Sequence, residues 1–384
     1  MKFSLNTSAK LPQNTESIFS VMSGLANRYS AVNLSQGFPD FAVNQHLINL
    51  VNEGMNLGHN QYAPMAGLMS LREGIAEKTE NLYGLKASPE KEITIVPGAT
   101  FGIYAAITAT VKDGDEVIIF EPAYDCYEPA VILNGGKVKR VELKYPNYSI
   151  NWQEVSKLIN FRTKMIILNS PHNPTGSILQ PSDFEQLNKI VQGSDIIILS
   201  DEVYEHIIFD NHIHESIAKY PKLAERSFII SSFGKTYHAT GWKMGYVIAP
   251  EELSRHLRSV YQYMVFSAST PMQYGYAQIL KFPELYQELS AFYQEKRNIF
   301  RSLVQSSRFN VLPCSGSYFQ LLDYSKITDA NDEAYAKELA IDRKIASIPI
   351  SVFYGKKIDN KVLRFCFAKK DETLKRAAEI LCKI

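Results

Sequence analysis

The stretch Ile93–Ile107, ITIVPGATFGIYAAI, contains the unit from which the fold is predicted. An extended apolar run reaches Pro97-Gly98, and a helical pattern begins at Ala99-Thr100. A strand that leads directly into a helix is typical of an α/β domain. Free N–H groups at a helix start bind anions, and a glycine lets the backbone approach a ligand closely. An ordinary strand–helix turn with a threonine cap explains the same letters, and the Gly-Lys-Ser/Thr ending of a P-loop is missing.

The same alternation of apolar runs and amphipathic stretches continues along the chain. Strands are predicted at Glu92–Val96, Glu116–Phe120, Lys137–Leu143, Lys164–Asn169, Asp195–Ser200, Ser227–Ser231 and Lys243–Ile248. Helices are predicted between them at Ala99–Thr110, Trp152–Leu158, Ser182–Val191 and Glu252–Met264. Several strands are apolar throughout, as expected for strands that are covered on both faces. The pattern therefore predicts an α/β fold with a mostly parallel seven-stranded sheet.

The pattern changes after about residue 280. One long helix is predicted at Glu284–Gln305, followed by strand-like pieces at Phe309–Leu312 and Tyr318–Asp323. A helix at Asp332–Asp342, a strand and a final helix complete this part. We expect a smaller α+β domain made of residues 1–44 and 281–384, beside a large domain made of residues 45–280.

Composition restricts the class of protein. The chain has 384 residues, of which 45% are hydrophobic and 21% charged, with a formal net charge of +1. This charge gives no global attraction to nucleic acid or to an anionic membrane. The four cysteines are far apart, which disfavours disulfides and zinc sites and fits a reducing cytoplasm. Neither a signal-peptide core nor a membrane-length apolar run of about 20 residues occurs in the sequence.

Three further strand ends carry polar side chains. Asn173 follows the strand of ILNSPHNPTG, Asp201 follows that of IIILSDEVYEHIIF, and Lys235 follows that of IISSFGKTYHATGWKMGY. A turn, a helix cap or a salt bridge explains each residue taken alone. Ligands of open α/β sheets bind at the carboxyl ends of strands. An amine, a carboxylate and the anion site at Gly98–Thr100 together match pyridoxal phosphate, which needs a Schiff-base lysine and an acidic partner for its ring nitrogen.

Several motifs in order carry a resemblance to a known family. They are NLSQGFPDF, YAPMAG, GDEVIIFEPAYDCY, LNSPHNPTG, SDEVYEHI, SSFGKTYHATGWKMGY and LRFCFAKK. Over essentially its whole length the chain resembles the fold-type I, class I/II aminotransferases that use pyridoxal 5'-phosphate. Within them it is similar to the methionine aminotransferases and to the kynurenine/glutamine aminotransferase branch.

The resemblance implies a role for each matching residue. Lys235 matches the Schiff-base lysine, Asp201 the partner of the ring nitrogen, and Tyr204 with Asn173 the pair on the cofactor's phenolic oxygen. The matches for phosphate binding are Gly98, Ala99, Thr100, Ser232 and Lys243, where Lys243 replaces the arginine of aspartate aminotransferases and lacks its bidentate fork. The remaining matches are Tyr124, stacked on the ring, Tyr62, reaching the neighbouring subunit's phosphate in a homodimer, and Arg364 with Gly37 and Asn173, at the substrate carboxylate.

The implied reaction moves an amino group from an amino acid to a 2-oxo acid with ping-pong kinetics, and Lys235 acts as the proton-transfer group. No second arginine of the kind that binds dicarboxylates is identified. The candidate substrate lining is apolar and aromatic: Phe19, Phe38, Phe353 and Tyr354. Such a lining favours methionine, phenylalanine, tyrosine, kynurenine or glutamine, and it separates them weakly. Methionine ranks first on the resemblance alone.

Other functions remain possible at this point. A carbon–sulfur β-lyase would use the same cofactor, and release of pyruvate and ammonia from cystathionine without a 2-oxo acid would favour it. A catalytically silent regulator that binds the cofactor as a sensor is disfavoured by the near-neutral charge and by the lack of a DNA-binding extension. A dehydrogenase is disfavoured because no GxGxxG follows a strand.

The histidines suggest no metal site. His206, His212 and His214 are close in sequence, but no carboxylate or cysteine spacing completes a ligand set, so a solvated loop is predicted. His172 and His238 flank the predicted active-site loops and are candidates for supporting contacts.

Overall fold

The computed structural model describes residues 10–11 and 16–384. Within these residues the strands are β1 (Val32–Asn33), β2 (Ile93–Val96), β3 (Glu116–Glu121), β4 (Lys137–Glu142), β5 (Thr163–Asn169), β6 (Ile197–Asp201), β7 (Ser227–Ser232), β8 (Gly245–Ile248), β9 (Asn310–Val311), β10 (Phe319–Asp323), β11 (Ile345–Ala346), β12 (Ile348–Pro349) and β13 (Val362–Cys366).

The α-helices of the same part of the chain are α1 (Ile18–Arg28), α2 (Gln45–Asn56), α3 (Met69–Tyr83), α4 (Ala99–Thr110), α5 (Tyr127–Leu133), α6 (Trp152–Leu158), α7 (Pro181–Val191), α8 (Pro221–Ala224), α9 (Phe233–Thr236), α10 (Glu251–Met264), α11 (Thr270–Ile279), α12 (Glu284–Gln287), α13 (Leu289–Val304), α14 (Asp332–Glu338) and α15 (Asp371–Leu381). No helix in the described ranges is both long enough and apolar enough to cross a lipid bilayer.

A seven-stranded sheet forms the centre of the fold. Its order is β2-β8-β7-β6-β5-β3-β4, and β8 runs antiparallel to both of its neighbours while the other pairs are parallel. Along β5, Ile166 and Leu168 pack in one apolar cluster, whereas Met165 and Ile167 pack in another. Both faces are therefore covered, as the apolar runs predicted. All seven predicted strands are present, and the α/β class with a mostly parallel sheet is confirmed.

The predicted helix over 284–305 is two helices, α12 and α13. They separate at Glu288, whose ψ of −10° lies outside the α-helical range. The helix predicted over 332–342 ends as an α-helix at Glu338 and continues as a π-helical turn, Leu339–Arg343. Such local changes of winding leave the apolar spacing unaltered, so periodicity does not reveal them.

A second, four-stranded antiparallel sheet has the order β12-β13-β10-β9. Near it, β1 pairs in parallel with β11, so that Val32 lies opposite Ile345. The segment before residue 44 thus associates with the last hundred residues, in keeping with the predicted grouping. The division into domains of 45–280 and of 1–44 with 281–384 stays a prediction, and residues 1–9 and 12–15 lie outside the described part.

The strand directions explain where polar side chains collect. In the parallel pair β5–β6, the last residue Asn169 lies opposite the last residue Asp201. Because β8 is antiparallel, its first residue Gly245 lies opposite both Ser232 and Val96, the last residues of β7 and β2. The edge that carries the carboxyl ends of β2, β5, β6 and β7 therefore also receives the segment that precedes β8.

Candidate active site

A cavity lies at this edge of the seven-stranded sheet. Ten of the residues predicted for the site line it: Gly98, Ala99, Thr100, Tyr124, Asn173, Asp201, Tyr204, Ser232, Lys235 and Lys243. They come from five separate segments of the chain, and Asp201 and Lys235 share the same space. The polar side chains at the predicted strand ends therefore lie together in one cavity.

One end of the cavity is built to hold an anion. Helix α4 begins there after Gly98, whose φ of 90° favours glycine, and no side chain caps the helix. The first N–H groups of a helix have no partner within it. A Cβ added at Gly98 would lie 3.2 Å from Cε and 3.3 Å from Nζ of Lys243, so this lysine stands directly beside the helix start. Together with the Thr100 and Ser232 hydroxyls, these groups suit a phosphate.

The carboxylate of Asp201 lies inside the cavity wall with a fixed orientation. The side chain is buried, and Oδ2 accepts a hydrogen bond of 2.6 Å from the Tyr127 hydroxyl. The amide of Asn169 donates to the Asp201 carbonyl oxygen at 2.9 Å and also accepts from the Asn173 N–H at 2.8 Å. Burial raises the pKa of Asp201 to about 6, while the Tyr127 hydrogen bond opposes the rise. A cationic partner placed in the cavity would restore the charged form.

Sequence reasoning missed Tyr127. The sequence offered one signal for it: Tyr127 lies three residues after Tyr124 in EPAYDCY, and Tyr124 was expected to stack on the cofactor ring. Tyr127 begins α5 and is buried, so its hydroxyl needs a partner, and Asp201 supplies one.

The amine of Lys235 is held on the opposite side by oxygen atoms. Lys235 lies in the short helix α9, immediately after β7, and its Nζ donates to the Tyr318 hydroxyl at 2.9 Å and to the Gly37 carbonyl at 3.3 Å. Burial is the main influence on this group and lowers the pKa of Lys235 to about 8. The lowered pKa brings the free-base form within reach near neutral pH, as proton transfer requires.

Arg364 is buried rather than exposed on its strand. It lies in β13 and is 1% exposed. Nη1 donates to Asn173 Oδ1 at 2.7 Å and Nη2 to the Ser35 carbonyl at 3.2 Å. Among the described residues nothing accepts from Nε. A buried guanidinium with spare donors and no carboxylate partner is suited to bind a carboxylate ligand.

Comparison with known proteins identifies the family. The profile of the family described as aminotransferase class I and II matches residues 29–381. The chain belongs to this family. The methionine aminotransferase of Escherichia coli strain K12 is 47% identical over 374 residues, which cover 97% of each chain. Kynurenine–oxoglutarate transaminase 1 of Mus musculus is 34% identical and covers 93% of each chain.

A solved structure supports the same family. The crystal structure of YbdL from Escherichia coli, for which a methionine aminotransferase function was identified, superposes with a TM-score of 0.96. It is 46% identical and covers 99% of this chain and 100% of its own. The resemblance inferred from the motifs and the fold class are confirmed, and the chain is an aminotransferase.

Two predicted residues of this aminotransferase lie just beyond the cavity lining. The Gly37 carbonyl accepts from both Lys235 and the Tyr318 hydroxyl. A Cβ at Gly37 would lie 2.9 Å from Cζ of Phe319, so a larger residue would displace this ring. The Phe319 ring in turn lies 3.9 Å from the Arg364 guanidinium carbon. Gly37 and Arg364 are therefore linked through one aromatic side chain that the sequence analysis did not single out.

The four aromatic residues predicted to line the substrate pocket divide into two groups. Phe19 and Phe353 lie with their ring centres 5.3 and 5.4 Å from the Arg364 guanidinium carbon. Phe38 is 45% exposed and lies beside Lys369, and Tyr354 is buried near Asn360. The aromatic contacts of Arg364 thus come from Phe19, Phe319 and Phe353.

Tyr62 lies apart from the cavity. It is 82% exposed, and its ring meets that of Phe266 edge to face at 5.3 Å. The single chain therefore does not bring Tyr62 to the other predicted site residues.

The prediction of a solvated histidine loop is wrong for two of its three members. The side chains of His206 and His214 are 8% and 5% exposed, and only His212 faces solvent. His214 Nε2 lies 2.9 Å from Oε2 of Glu202, the residue after Asp201. His172 is also buried, and its Nδ1 contacts the Thr175 hydroxyl within the loop that carries Asn173. Sequence spacing cannot report these contacts because the partners lie on other segments of the fold.

Proposed function

We propose that this aminotransferase transfers the amino group of a neutral sulfur-containing or aromatic amino acid, methionine first, to a 2-oxo acid, using pyridoxal 5'-phosphate bound in the cavity. The observation that carries the proposal is that Lys235, Asp201 and the uncapped start of helix α4 share one cavity. The names of the relatives, a methionine aminotransferase and a kynurenine–oxoglutarate transaminase, support the substrate class.

The residues present fit this cofactor. The phosphate would bind the N–H groups at the start of α4, with the Thr100 and Ser232 hydroxyls and Lys243 around it. Asp201, a buried carboxylate with Tyr127 as its side-chain partner, would hold the proton of the ring nitrogen. Tyr204 and Asn173 would bind the phenolic oxygen. Tyr124 lines the same cavity and would cover the ring face.

Bound in this way, the cofactor would supply a carrier for the amino group and an acceptor for the electron pair left at the substrate α-carbon. The chain's own groups then have separate tasks. Lys235 removes and returns the α-proton, since burial brings its pKa close to the working range. Arg364 binds the substrate carboxylate through its free donor and fixes which bond faces Lys235.

Aromatic side chains around Arg364 support the preferred side-chain class. Phe19, Phe319 and Phe353 lie around the guanidinium and would offer apolar surface to the side chain of a substrate whose carboxylate binds Arg364. A thioether or an aromatic ring packs favourably against such rings, whereas a second carboxylate there would be buried without a partner.

Half-reactions of the purified enzyme test the proposed function. We expect methionine and phenylalanine each to convert the absorbance of the bound cofactor from its aldehyde form to its amino form, and aspartate to leave it unchanged over the same time. A 2-oxo acid should restore the first spectrum. Conversion by aspartate and by no neutral amino acid would contradict the substrate class. Pyruvate and ammonia formed from cystathionine without a 2-oxo acid would indicate a β-lyase instead.

The variant Arg364→Lys tests carboxylate recognition. The change keeps a positive charge but removes the planar set of donors, so we expect kcat/KM for methionine to fall about 100-fold, equal to about 3 kcal/mol. Steady-state kinetics with methionine measures the loss. Binding of methioninol, which has no carboxylate, serves as the control and should change less than threefold. An equal loss for both ligands would show that the variant had merely disturbed the pocket.

We also propose a homodimer in which Tyr62 reaches the phosphate of the neighbouring site. Tyr62 contacts Phe266, and Phe266 ends a run of four exposed apolar or aromatic side chains that also contains Tyr263, Met264 and Val265. Soluble monomers rarely expose contiguous apolar patches of this kind. Sedimentation at micromolar concentration should give a mass twice that of the chain, and a monomer would exclude this proposal.

We propose a cytoplasmic location because the cysteines are present as free thiols. All four cysteines are free in the structure, which suits a reducing compartment. Recovery of the enzyme outside the cytoplasmic fraction after cell fractionation would contradict this location.

A further inference from the structure

A residue absent from the sequence-based predictions contacts the amine of Lys235. Tyr318, which directly precedes β10, is fully buried, and its hydroxyl lies 2.9 Å from Lys235 Nζ. The same hydroxyl hydrogen-bonds to the Gly37 carbonyl oxygen. Because Lys235 Nζ also lies 3.3 Å from that carbonyl, the three groups form a closed triangle.

The direction of each hydrogen bond follows from the available donors. A tyrosine hydroxyl has one proton to donate, and a backbone carbonyl only accepts. The Tyr318 proton is therefore committed to Gly37, and the Tyr318 oxygen accepts from Lys235. Two N–H groups of Lys235 then point at the Tyr318 hydroxyl oxygen and the Gly37 carbonyl oxygen. The remaining tetrahedral position on Nζ therefore faces the cavity.

Two aromatic rings complete the surroundings of this amine. Lys235 Nζ lies 5.5 Å from the ring centre of Tyr204 and 5.4 Å from that of Tyr318, and the two rings meet edge to face at 5.0 Å. Ring faces and hydrogen-bond acceptors favour the ammonium form, whereas burial favours the free base. The protonation of Lys235 thus depends on a balance to which the Tyr318 hydroxyl contributes directly.

We propose that Tyr318 is a positioning residue that holds the Lys235 amine whenever this amine is not bonded to the cofactor, and directs its free position toward the substrate. The proposal rests on the role proposed above for Lys235. Tyr318 does not exchange the proton itself, because its own hydroxyl is committed to Gly37. Burial and neighbouring groups raise the pKa of Tyr318 well above its usual value, so the phenol stays neutral during turnover.

The variant Tyr318→Phe removes the hydroxyl and keeps the ring, and Tyr293→Phe is its matched control. Tyr293 is also fully buried, with its ring 5.8 Å from that of Tyr318. Its hydroxyl has no hydrogen-bond partner within the described ranges. Both changes delete one buried phenolic oxygen in the same aromatic cluster, but only one of these oxygens touches Lys235.

The decisive measurement is the pH dependence of Lys235 acylation in the holoenzyme, loaded with the amino form of the cofactor so that the lysine is free. Peptide mass spectrometry reports the acylated fraction. Loss of an acceptor destabilises the ammonium form, so for Tyr318→Phe we expect the midpoint to fall by about one pH unit. We expect kcat with methionine to fall about tenfold and KM to stay within twofold, as for a residue that orients the reacting group. Tyr293→Phe should change none of these values more than twofold.

An unchanged acylation midpoint in Tyr318→Phe would overturn the proposal, even if kcat fell, because the loss would then be structural. Should this variant melt at a much lower temperature, 3-fluorotyrosine at position 318 provides a second test. It keeps the ring and the hydroxyl and weakens the oxygen as an acceptor, so the midpoint must shift in the same direction. If the wild-type enzyme transfers no amino group, the proposed function fails, and the midpoint comparison still decides the role of Tyr318.

Discussion

Replacing Lys235 by alanine is expected to abolish amino transfer, with kcat lowered by at least about 10⁴-fold. The amine is the basic group that burial prepares for proton transfer, with its pKa lowered to about 8. The Tyr204 and Tyr124 hydroxyls of the cavity cannot replace it, since burial raises their pKa values far above neutral. The second amine of the cavity, Lys243, lies beside the start of α4, at the end assigned to the phosphate. Single-turnover conversion of methionine, followed by the cofactor spectrum, measures the loss.

The variant Lys235→Arg separates the charge of this residue from its ability to give up a proton. A guanidinium remains protonated at any practical pH, so it supplies charge without acting as a base. We expect Lys235→Arg to retain the phosphate-binding end of the cavity and to be nearly as inactive as Lys235→Ala. Turnover within 100-fold of wild type in Lys235→Ala, with the cofactor bound, would refute the proposed mechanism.

The second large effect is expected for Asp201→Asn, with kcat lowered about 10³-fold, equal to about 4 kcal/mol. Asparagine keeps the shape and can still accept the hydrogen bond from Tyr127, but it removes the negative charge that faces the cavity. Without that charge the chain would no longer hold the proton on the ring nitrogen of the cofactor, and the ring would withdraw electrons less strongly. Steady-state kinetics with saturating cofactor gives the loss in kcat.

Glu202 provides a matched control beside Asp201. It is equally buried and adjacent in sequence, yet its carboxylate is bound by the Ser200 hydroxyl, by His214 and by the N–H of Ile217 rather than by groups of the cavity. We expect Glu202→Gln to lower the melting temperature and to change kcat less than tenfold. If the two variants lost kcat to the same degree, the effect of Asp201→Asn could not be assigned to a charge on the cofactor.

The sequence by itself determined the sheet and most of the cavity. Seven strands were predicted and seven form the sheet; several are apolar along their whole length because they are covered on both faces, whereas the edge strand β4 mixes polar and apolar residues. The polar residues at or just beyond the ends of β5, β6 and β7 were predicted to meet, because the ends of parallel strands share one edge. The local sequence pattern was sufficient for these features, because a strand and its end are both determined by consecutive residues.

Only the tertiary structure decided which partners surround each functional group. Lys235 meets Tyr318, 83 residues away in sequence, and Asp201 meets Tyr127, 74 residues away. Neither contact leaves a trace in periodicity, because tyrosines at these positions read as ordinary core residues. The burial of Arg364 was also beyond the sequence, since a strand arginine is buried or exposed according to what packs over it. The reason is physical: position along a strand is a local property, whereas hydrogen-bond partners and burial depend on how distant segments pack together.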